Sequence, residues 1–196
     1  IEDDVYGDLA GGAQRPPACK AFDKGGNVIY CSSLSKTLAP GWRIGWIAAG
    51  RYHPAVLQAR MAGEWAGAPL IEAAANEILA SGDYDRHLRH LKLRIAEGMR
   101  AIIARVDACF PPGTRVAAPE AGFLIWVKLP AGIDALEVHR RALALGIGVS
   151  PGPLFSPGAA ELQNYLRLHG AHDPTPALLH AVEQLGSLCH ELIRGQ

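Results

Sequence analysis

Ser32-Ser33-Leu34-Ser35-Lys36-Thr37-Leu38-Ala39-Pro40-Gly41-Trp42-Arg43 sets one lysine behind two serines and ahead of an arginine. The run before it, residues 27–31 (Asn-Val-Ile-Tyr-Cys), is short, nearly continuously apolar and bounded by turn signals. That pattern predicts a buried parallel strand. Residues 43–49 (Arg-Ile-Gly-Trp-Ile-Ala-Ala) predict a second buried strand, closed by Gly50. The lysine therefore sits on a loop between two strands, with hydroxyls and a guanidinium close by.

Upstream, residues 1–9 (Ile-Glu-Asp-Asp-Val-Tyr-Gly-Asp-Leu) are too acidic for a central strand. They suit a strand end at the carboxyl edge of an open α/β sheet, the edge at which ligands bind. Downstream the period changes. Residues 54–64 and 69–80 read as helices with proline at a permitted starting position. From about Asp85 to Cys109, Leu88, Leu91, Ile95, Met99, Ile102 and Val106 recur at helical spacing and draw one apolar stripe. Pro111-Pro112-Gly113 stops it. The remainder predicts an α+β unit: strands at 114–118 and 123–129 joined by the Glu120-Ala121-Gly122 turn, a helix over 136–145, strands at 147–150 and 165–168, and a last helix over 176–193. Asp134 and Glu137 are spaced as a cap pair for the first of those helices. The expected seam lies near Ser81-Gly82, dividing residues 1–82 from 83–196.

Composition narrows the class. The chain has 196 residues, 49% of them apolar and 19% charged, enough for a core or two. Its 19 basic and 19 acidic residues cancel, which disfavours nucleic acid or an anionic membrane as this chain's own partner. Cys19, Cys31, Cys109 and Cys189 lie far apart with no C-x-x-C pair and read as reduced, small buried residues of a cytoplasmic protein. No stretch approaches the roughly 18 apolar residues of a membrane span. The start on Ile1-Glu2-Asp3-Asp4, without methionine, reads as the middle of a longer protein.

Taken alone, Ser33-Leu34-Ser35-Lys36 also fits the S-x-x-K pattern of serine acylases, but the S-D-N and K-T-G elements of that chemistry are absent. A G-x-x-x-x-G-K-[S/T] phosphate loop is absent as well. A plain surface turn is the bland alternative. An imine-forming lysine needs desolvation or a nearby cation to be partly neutral, and Arg43 supplies one. Serine hydroxyls and an arginine fork suit a phosphate. Asp3 and Tyr6 form a second constellation about thirty residues upstream. An aspartate keeps the ring nitrogen of pyridoxal phosphate protonated, and a tyrosine can bond its phenolic oxygen. Arg167, in Asn164-Tyr165-Leu166-Arg167-Leu168-His169, is either paired with an acid or open to a substrate carboxylate. Other conspicuous residues read as structural. His87 and His90, three apart on a helix, have no third ligand beside them. Arg86, Arg89, Lys92 and Arg94 make a solvated basic face, and Trp42, Trp46, Trp65 and Trp126 are core or interface rings.

The S-x-S-K-T…P-G-W-R-I-G-W pattern resembles the cofactor-lysine region of fold-type I pyridoxal phosphate enzymes, the aspartate aminotransferase superfamily. Within it, Glu2-Asp3-Asp4-Val5-Tyr6-Gly7-Asp8-Leu9, His87-Leu88-Arg89-His90-Leu91 and Ser150-Pro151-Gly152-Pro153-Leu154-Phe155-Ser156 are similar to the MocR subgroup of GntR transcriptional regulators. The resemblance runs from residue 1 to about 193. It implies an α/β fold, the C-terminal part of the large cofactor-binding domain (1–82) followed by a long linking helix and a small α+β domain (83–196). It implies that Lys36 forms an aldimine with pyridoxal phosphate, exchanged for an amino acid or amine effector. Asp3, Tyr6, Ser33, Ser35 and Arg43 would then bind the cofactor, and Arg167 the substrate carboxylate. Tyr6 follows Asp3 by three residues, the spacing of ordinary aminotransferases. A homodimer is implied too, with DNA contacted only through an N-terminal winged helix-turn-helix outside this chain. The isolated chain is expected to hold the cofactor weakly or not at all. The rival reading is a free-standing aminotransferase acting on an α-amino acid.

Overall fold

In the computed structural model, which describes residues 1–11, 15–63, 67–157 and 162–195, β1 (Glu2–Asp3) and β2 (Tyr30–Ser33) run parallel, with Glu2 opposite Tyr30 and Asp3 opposite Cys31. β3 (Gly45–Ala48) returns antiparallel to β2, with Ser33 opposite Gly45 and Tyr30 opposite Ala48. These strands belong to the first of two units, Ile1–Lys92 with Glu120–Gly122. The parallel pair is the one expected, but β2 starts three residues late and is only half-buried. Asp23 explains the late start. Its carboxylate accepts the backbone N–H groups of Asn27 (2.9 Å) and Val28 (2.8 Å), so these residues are held by a loop side chain and not by a ladder. Those two bonds hold the Asp23 carboxyl down at about 2.

The expected burial of residues 43–49 is not observed. β3 is exposed along its whole length, with Trp46 at 42% and Ile47 at 52%. Among the described residues it pairs only with β2. An apolar run records that a strand is suited to burial; it does not record what covers it. The first unit continues with α1 (His53–Gly63) and α2 (Pro69–Ala80), where the prolines stand in the first turn as expected. Trp65 and Glu64 lie outside the described residues.

α3 (Asp83–Cys109) is a continuous helix of 27 residues. Its predicted stripe faces inward, with Ile95, Met99, Ile102 and Val106 buried. Residues from Leu93 onward belong to the second unit, which comprises Leu93–Pro119 and Phe123–Gln196. There β4 (Arg115–Ala117), β5 (Leu124–Lys128), β6 (Ser150–Pro151) and β7 (Tyr165–His169) form an antiparallel sheet in the order β4-β5-β7-β6. Ile125, Val127 and Leu166 alternate inward and are fully buried. The core is closed by α3, by α4 (Ala135–Ala144) and by α5 (Pro176–Arg194), which contribute Val138, Ala142, Val182, Leu185 and Cys189.

Helix α4 corrects one local expectation. Asp134 caps it, accepting the Leu136 N–H at 2.9 Å, but Glu137 does not reach back to complete a box. Glu137 turns instead to Arg140 and Arg141, each 2.7 Å away, and the hydrogen bonds to Arg140 and then Arg141 hold its carboxyl down at about 2. A forward ion pair at helical spacing has outcompeted the cap. Thr175 caps α5, accepting the Leu178 N–H at 3.2 Å. All four cysteines are free thiols, as expected, but Cys19 is exposed and only Cys189 is fully buried. Among the described residues no helix is long and apolar enough to cross a membrane.

Candidate functional site

Because β1 and β2 are parallel, both end at the same edge of the sheet, and Asp3 and Ser33 mark it. The loop leaving β2 winds around one carbonyl. Leu34, itself 1% exposed, accepts at its backbone oxygen from Leu38 (2.9 Å), Ala39 (3.1 Å) and Thr37 (3.4 Å), while its own N–H donates to Ile44. The turn therefore hangs on a buried residue and leaves Lys36 exposed at its outer side. The Lys36 ammonium stands 5.8 Å from the centre of the Tyr6 ring. Tyr6 is set in turn by Gly122, whose φ of +81° suits glycine and whose missing Cβ would lie 3.0 Å from the ring.

Arg43 ends the loop in the left-handed region, φ +55°, the only non-glycine residue with positive φ among those described. Such a conformation costs an L-residue about 1–2 kcal/mol. It brings the guanidinium to 3.4 Å from the Ser35 hydroxyl and 3.5 Å from the Pro40 carbonyl. The Ser33 hydroxyl accepts the Ser35 N–H at 3.4 Å. Ser33, Ser35 and Arg43 thus gather into a cluster of donors with no acidic side chain in it, a set suited to an oxyanion such as phosphate.

The two adjacent aspartates are treated differently. Asp4 is taken up by the protein: Tyr30 donates its hydroxyl at 3.0 Å and Arg15 forms an ion pair with the same carboxylate. Asp3 is exposed and accepts only a long 3.4 Å bond from the Val5 N–H among the bonds observed. The aspartate named from sequence is the one left available.

Three residues that sequence reasoning did not assign a role stand beside the lysine. Thr37 is 2% exposed, the one buried polar residue among those described. Its hydroxyl and the Tyr84 hydroxyl are 2.9 Å apart, and Tyr84 lies 2.9 Å from Asp8. A carboxylate only accepts, so Tyr84 donates to Asp8 and Thr37 donates to Tyr84. Burial first, and the Asp8 carboxylate with it, push the Tyr84 phenol up to about 12. His87 donates from Nε2 to the Thr37 carbonyl at 2.8 Å. His87 is thus occupied in holding backbone, and no group of three or more metal-ligating side chains occurs among the described residues. On the basic face of α3, Arg86 pairs with Asp83 and Arg94 with Asp173.

Arg167 belongs to the second unit. On β7 it lies opposite Trp126 and Ser150. Its guanidinium carbon sits 3.7 Å above the Phe155 ring, which meets Trp126 edge-on at 5.4 Å. No carboxylate among the described residues pairs with it. Stacking on an aromatic face leaves the N–H fork of an arginine available in the ring's plane. Phe155 carried a signal in sequence only as part of the Ser150–Ser156 segment, where its relation to Arg167 could not be read.

A cleft of about 890 Å³ on the first unit shares Arg43 with the Ser33–Ser35–Arg43 cluster and is otherwise lined by Trp42, Trp46, Val56, Leu57 and Arg60 among others. Neither Lys36, Asp3 nor Tyr6 borders it.

The profile of the family "Aminotransferase class I and II" matches residues 1–185. Among curated relatives, the chain is 34% identical over 186 residues to the uncharacterized HTH-type transcriptional regulator YjiR of Escherichia coli, covering 95% of this chain and 39% of that protein. It is 29% identical over 192 residues to aromatic-amino-acid aminotransferase 1 of Thermococcus litoralis, covering 97% of this chain and 46% of that enzyme. Among solved structures, LysN, the α-aminoadipate aminotransferase of Thermus thermophilus complexed with N-(5'-phosphopyridoxyl)-L-leucine, superposes with a TM-score of 0.90 at 28% identity, covering 100% of this chain and 51% of that one. The chain therefore spans about half or less of the length of these relatives.

Proposed function

This chain belongs to the class I and II aminotransferase family, and we propose that it is part of the pyridoxal phosphate-binding effector domain of a MocR-type transcriptional regulator, in which Lys36 holds the cofactor and an amino acid or amine is the effector. The observation that carries the proposal is the grouping at the carboxyl edge: Lys36 beside Tyr6, the Ser33–Ser35–Arg43 cluster, and the uncommitted Asp3. This donor set fits the cofactor chemically. Ser33, Ser35 and Arg43 hold the phosphate, Asp3 keeps a proton on the ring nitrogen, and Tyr6 donates to the phenolic oxygen. When bound, pyridoxal phosphate supplies a reactive carbonyl and an electron-accepting ring. Lys36 supplies the amine. Arg167 takes the α-carboxylate of the incoming amino acid, its fork presented by the Phe155 ring.

The regulator is favoured over a free-standing enzyme by relatedness. The HTH-type regulators YjiR and YdcR stand at 34% and 33% identity, against 29% for the Thermococcus enzyme. In the regulator, release of the lysine by an effector shifts the affinity of a DNA-binding domain outside this chain, within a cytoplasmic homodimer. The second reading, an aminotransferase, draws on the likeness to LysN; there the Lys36 amine also carries the proton away from and back to the substrate carbon.

Borohydride reduction of the full-length protein with cofactor, followed by peptide mass spectrometry, tests the common part: the adduct is expected on Lys36. An adduct elsewhere, or none, overturns the proposal. Amino acids that alter DNA affinity without turnover support the regulator, and conversion of an amino acid with a 2-oxo acid supports the enzyme.

A further inference from the structure

We propose that Tyr84 and His87, on the first two turns of α3, are positioning residues for Lys36, acting through Thr37. Lys36 is exposed while the residue after it is buried, so the loop dives inward immediately behind the lysine. Thr37 is gripped there at both of its oxygens. His87 Nε2 donates to its carbonyl at 2.8 Å, and Tyr84 accepts from its hydroxyl at 2.9 Å. The grip is anchored, because Tyr84 also donates to Asp8 at 2.9 Å and Asp8 is ion-paired with Arg15. On the other side, the Leu34 carbonyl binds the N–H groups of Leu38 and Ala39 at 2.9 and 3.1 Å. The backbone of Lys36 is thus fenced before and after, while its side chain carries no comparable restraint.

That division suits a lysine whose amine must alternate between a covalent and a released state about a stationary Cα. A flexible four-carbon stem allows the swing only if the stem's root stays fixed. The clamp itself is an observation; its service to the amine rests on reading Lys36 as the cofactor lysine. Both residues come from the helix: Tyr84 and His87 are three apart and project from one face. Their partner lies 47 and 50 residues earlier.

The experiment uses full-length protein carrying His87→Leu, His87→Gln or Tyr84→Phe. Hydrogen exchange of the peptide spanning residues 34–39 is measured without cofactor, and the rate of borohydride-trapped cofactor attachment at Lys36 is measured with it. His87→Leu removes the donor and is expected to speed exchange at Leu38 and Ala39 about ten- to hundredfold, the scale of one buried hydrogen bond. It should also slow attachment at least severalfold. His87→Gln keeps an N–H at similar reach and restores much of both. Tyr84→Phe, which keeps the ring, should give a smaller effect of the same kind. Unchanged exchange in His87→Leu overturns the clamp. Faster exchange with an unchanged attachment rate overturns its positioning role, and so does faster exchange spread evenly over the first unit. If wild-type Lys36 takes no cofactor, the reading of the lysine fails while the exchange result still decides the clamp.

Discussion

Gly186, inside α5, sets how closely that helix approaches the end of α3, and replacing it with alanine puts a number on the packing. A Cβ built there would lie 2.5 Å from the Cys109 carbonyl oxygen and 2.9 Å from the carbonyl carbon. Both are backbone atoms, so no side chain can swing aside. To restore even a tight contact of about 3.0 Å, the helices must separate by roughly half an ångström. That displacement loosens Leu185 and Cys189, which are 3% and 0% exposed. Such overpacking costs about 1–3 kcal/mol. Against it, alanine gains about 1 kcal/mol of helix propensity over glycine. The balance is a net loss of about 0–2 kcal/mol. Cys189 reports it locally. Burial pushes its thiol up to about 12, so the native residue resists alkylation twice over, by access and by ionisation. Alkylation of the Cys189 peptide across a urea series, read by mass spectrometry, should show the midpoint move to lower urea in Gly186→Ala. Gly63→Ala serves as the contrast, since, chain neighbours and its own helix backbone aside, no atom of the described residues lies within 4 Å of that Cβ. Gly186→Ala more stable than wild type by about 1 kcal/mol, the propensity gain with no packing cost, would refute the close approach.

Arg43→Gly separates stability from binding: relief of the left-handed strain offsets the added chain entropy and leaves thermal stability unchanged or raised by up to about 1 kcal/mol, while cofactor affinity by fluorescence titration falls at least tenfold. Arg167→Lys should weaken amino acid binding to the cofactor-loaded full-length protein by about ten- to hundredfold, the scale of a charge-assisted bond, with cofactor affinity unchanged; spectrophotometric titration checks it. For Tyr84, folding favours the protonated phenol, whose value rises from 10 to about 12. Its contribution is therefore intact below pH 10 and lost as pH climbs through about 12; the alkaline limb of the stability profile should flatten in Tyr84→Phe. Asp4→Asn should destabilise the first unit by about 1–2 kcal/mol in chemical denaturation, whereas Asp3→Asn should leave stability within about 0.5 kcal/mol and abolish tight cofactor binding.

The lysine loop and the sheet edge beneath it were legible because local signals agreed: an apolar run, a polar loop, then a second run. The stripe of α3 was legible for the same reason, since Ile95, Met99, Ile102 and Val106 recur at one spacing over many turns. Where two partners competed, local reading failed. Glu137 could close a capping box or bind Arg140 and Arg141, and only geometry shows that the arginines win. His87 was paired by spacing with His90, although its partner is a backbone carbonyl 50 residues away. No sequence pattern announces a carbonyl as a partner. Arg167 had two open readings in sequence, an ion pair or a free fork. The Phe155 ring beneath it is a third kind of neighbour that neither reading contained.

The paired aspartates show how one fold divides chemistry from architecture between neighbours. Asp3 closes β1 and Asp4 lies just past it, and their carboxylates have different partners. Asp4 meets Tyr30 and Arg15, a phenol and a guanidinium that together satisfy its carboxylate. Arg15 also holds Asp8, and Asp8 receives the Tyr84 hydroxyl that steadies Thr37. Through this chain Asp4 is tied to the backbone next to Lys36 without facing it. Asp3, one residue earlier, is left exposed at the sheet's carboxyl edge with no ion pair among the described residues. A carboxylate needed to fix a proton on a bound ring must be deprived of competing cations, since an ion pair would satisfy it before the ligand arrived. With Arg15 committed to Asp4 and Asp8, Asp3 has no ion pair among the described residues, the condition that its proposed role toward the cofactor requires.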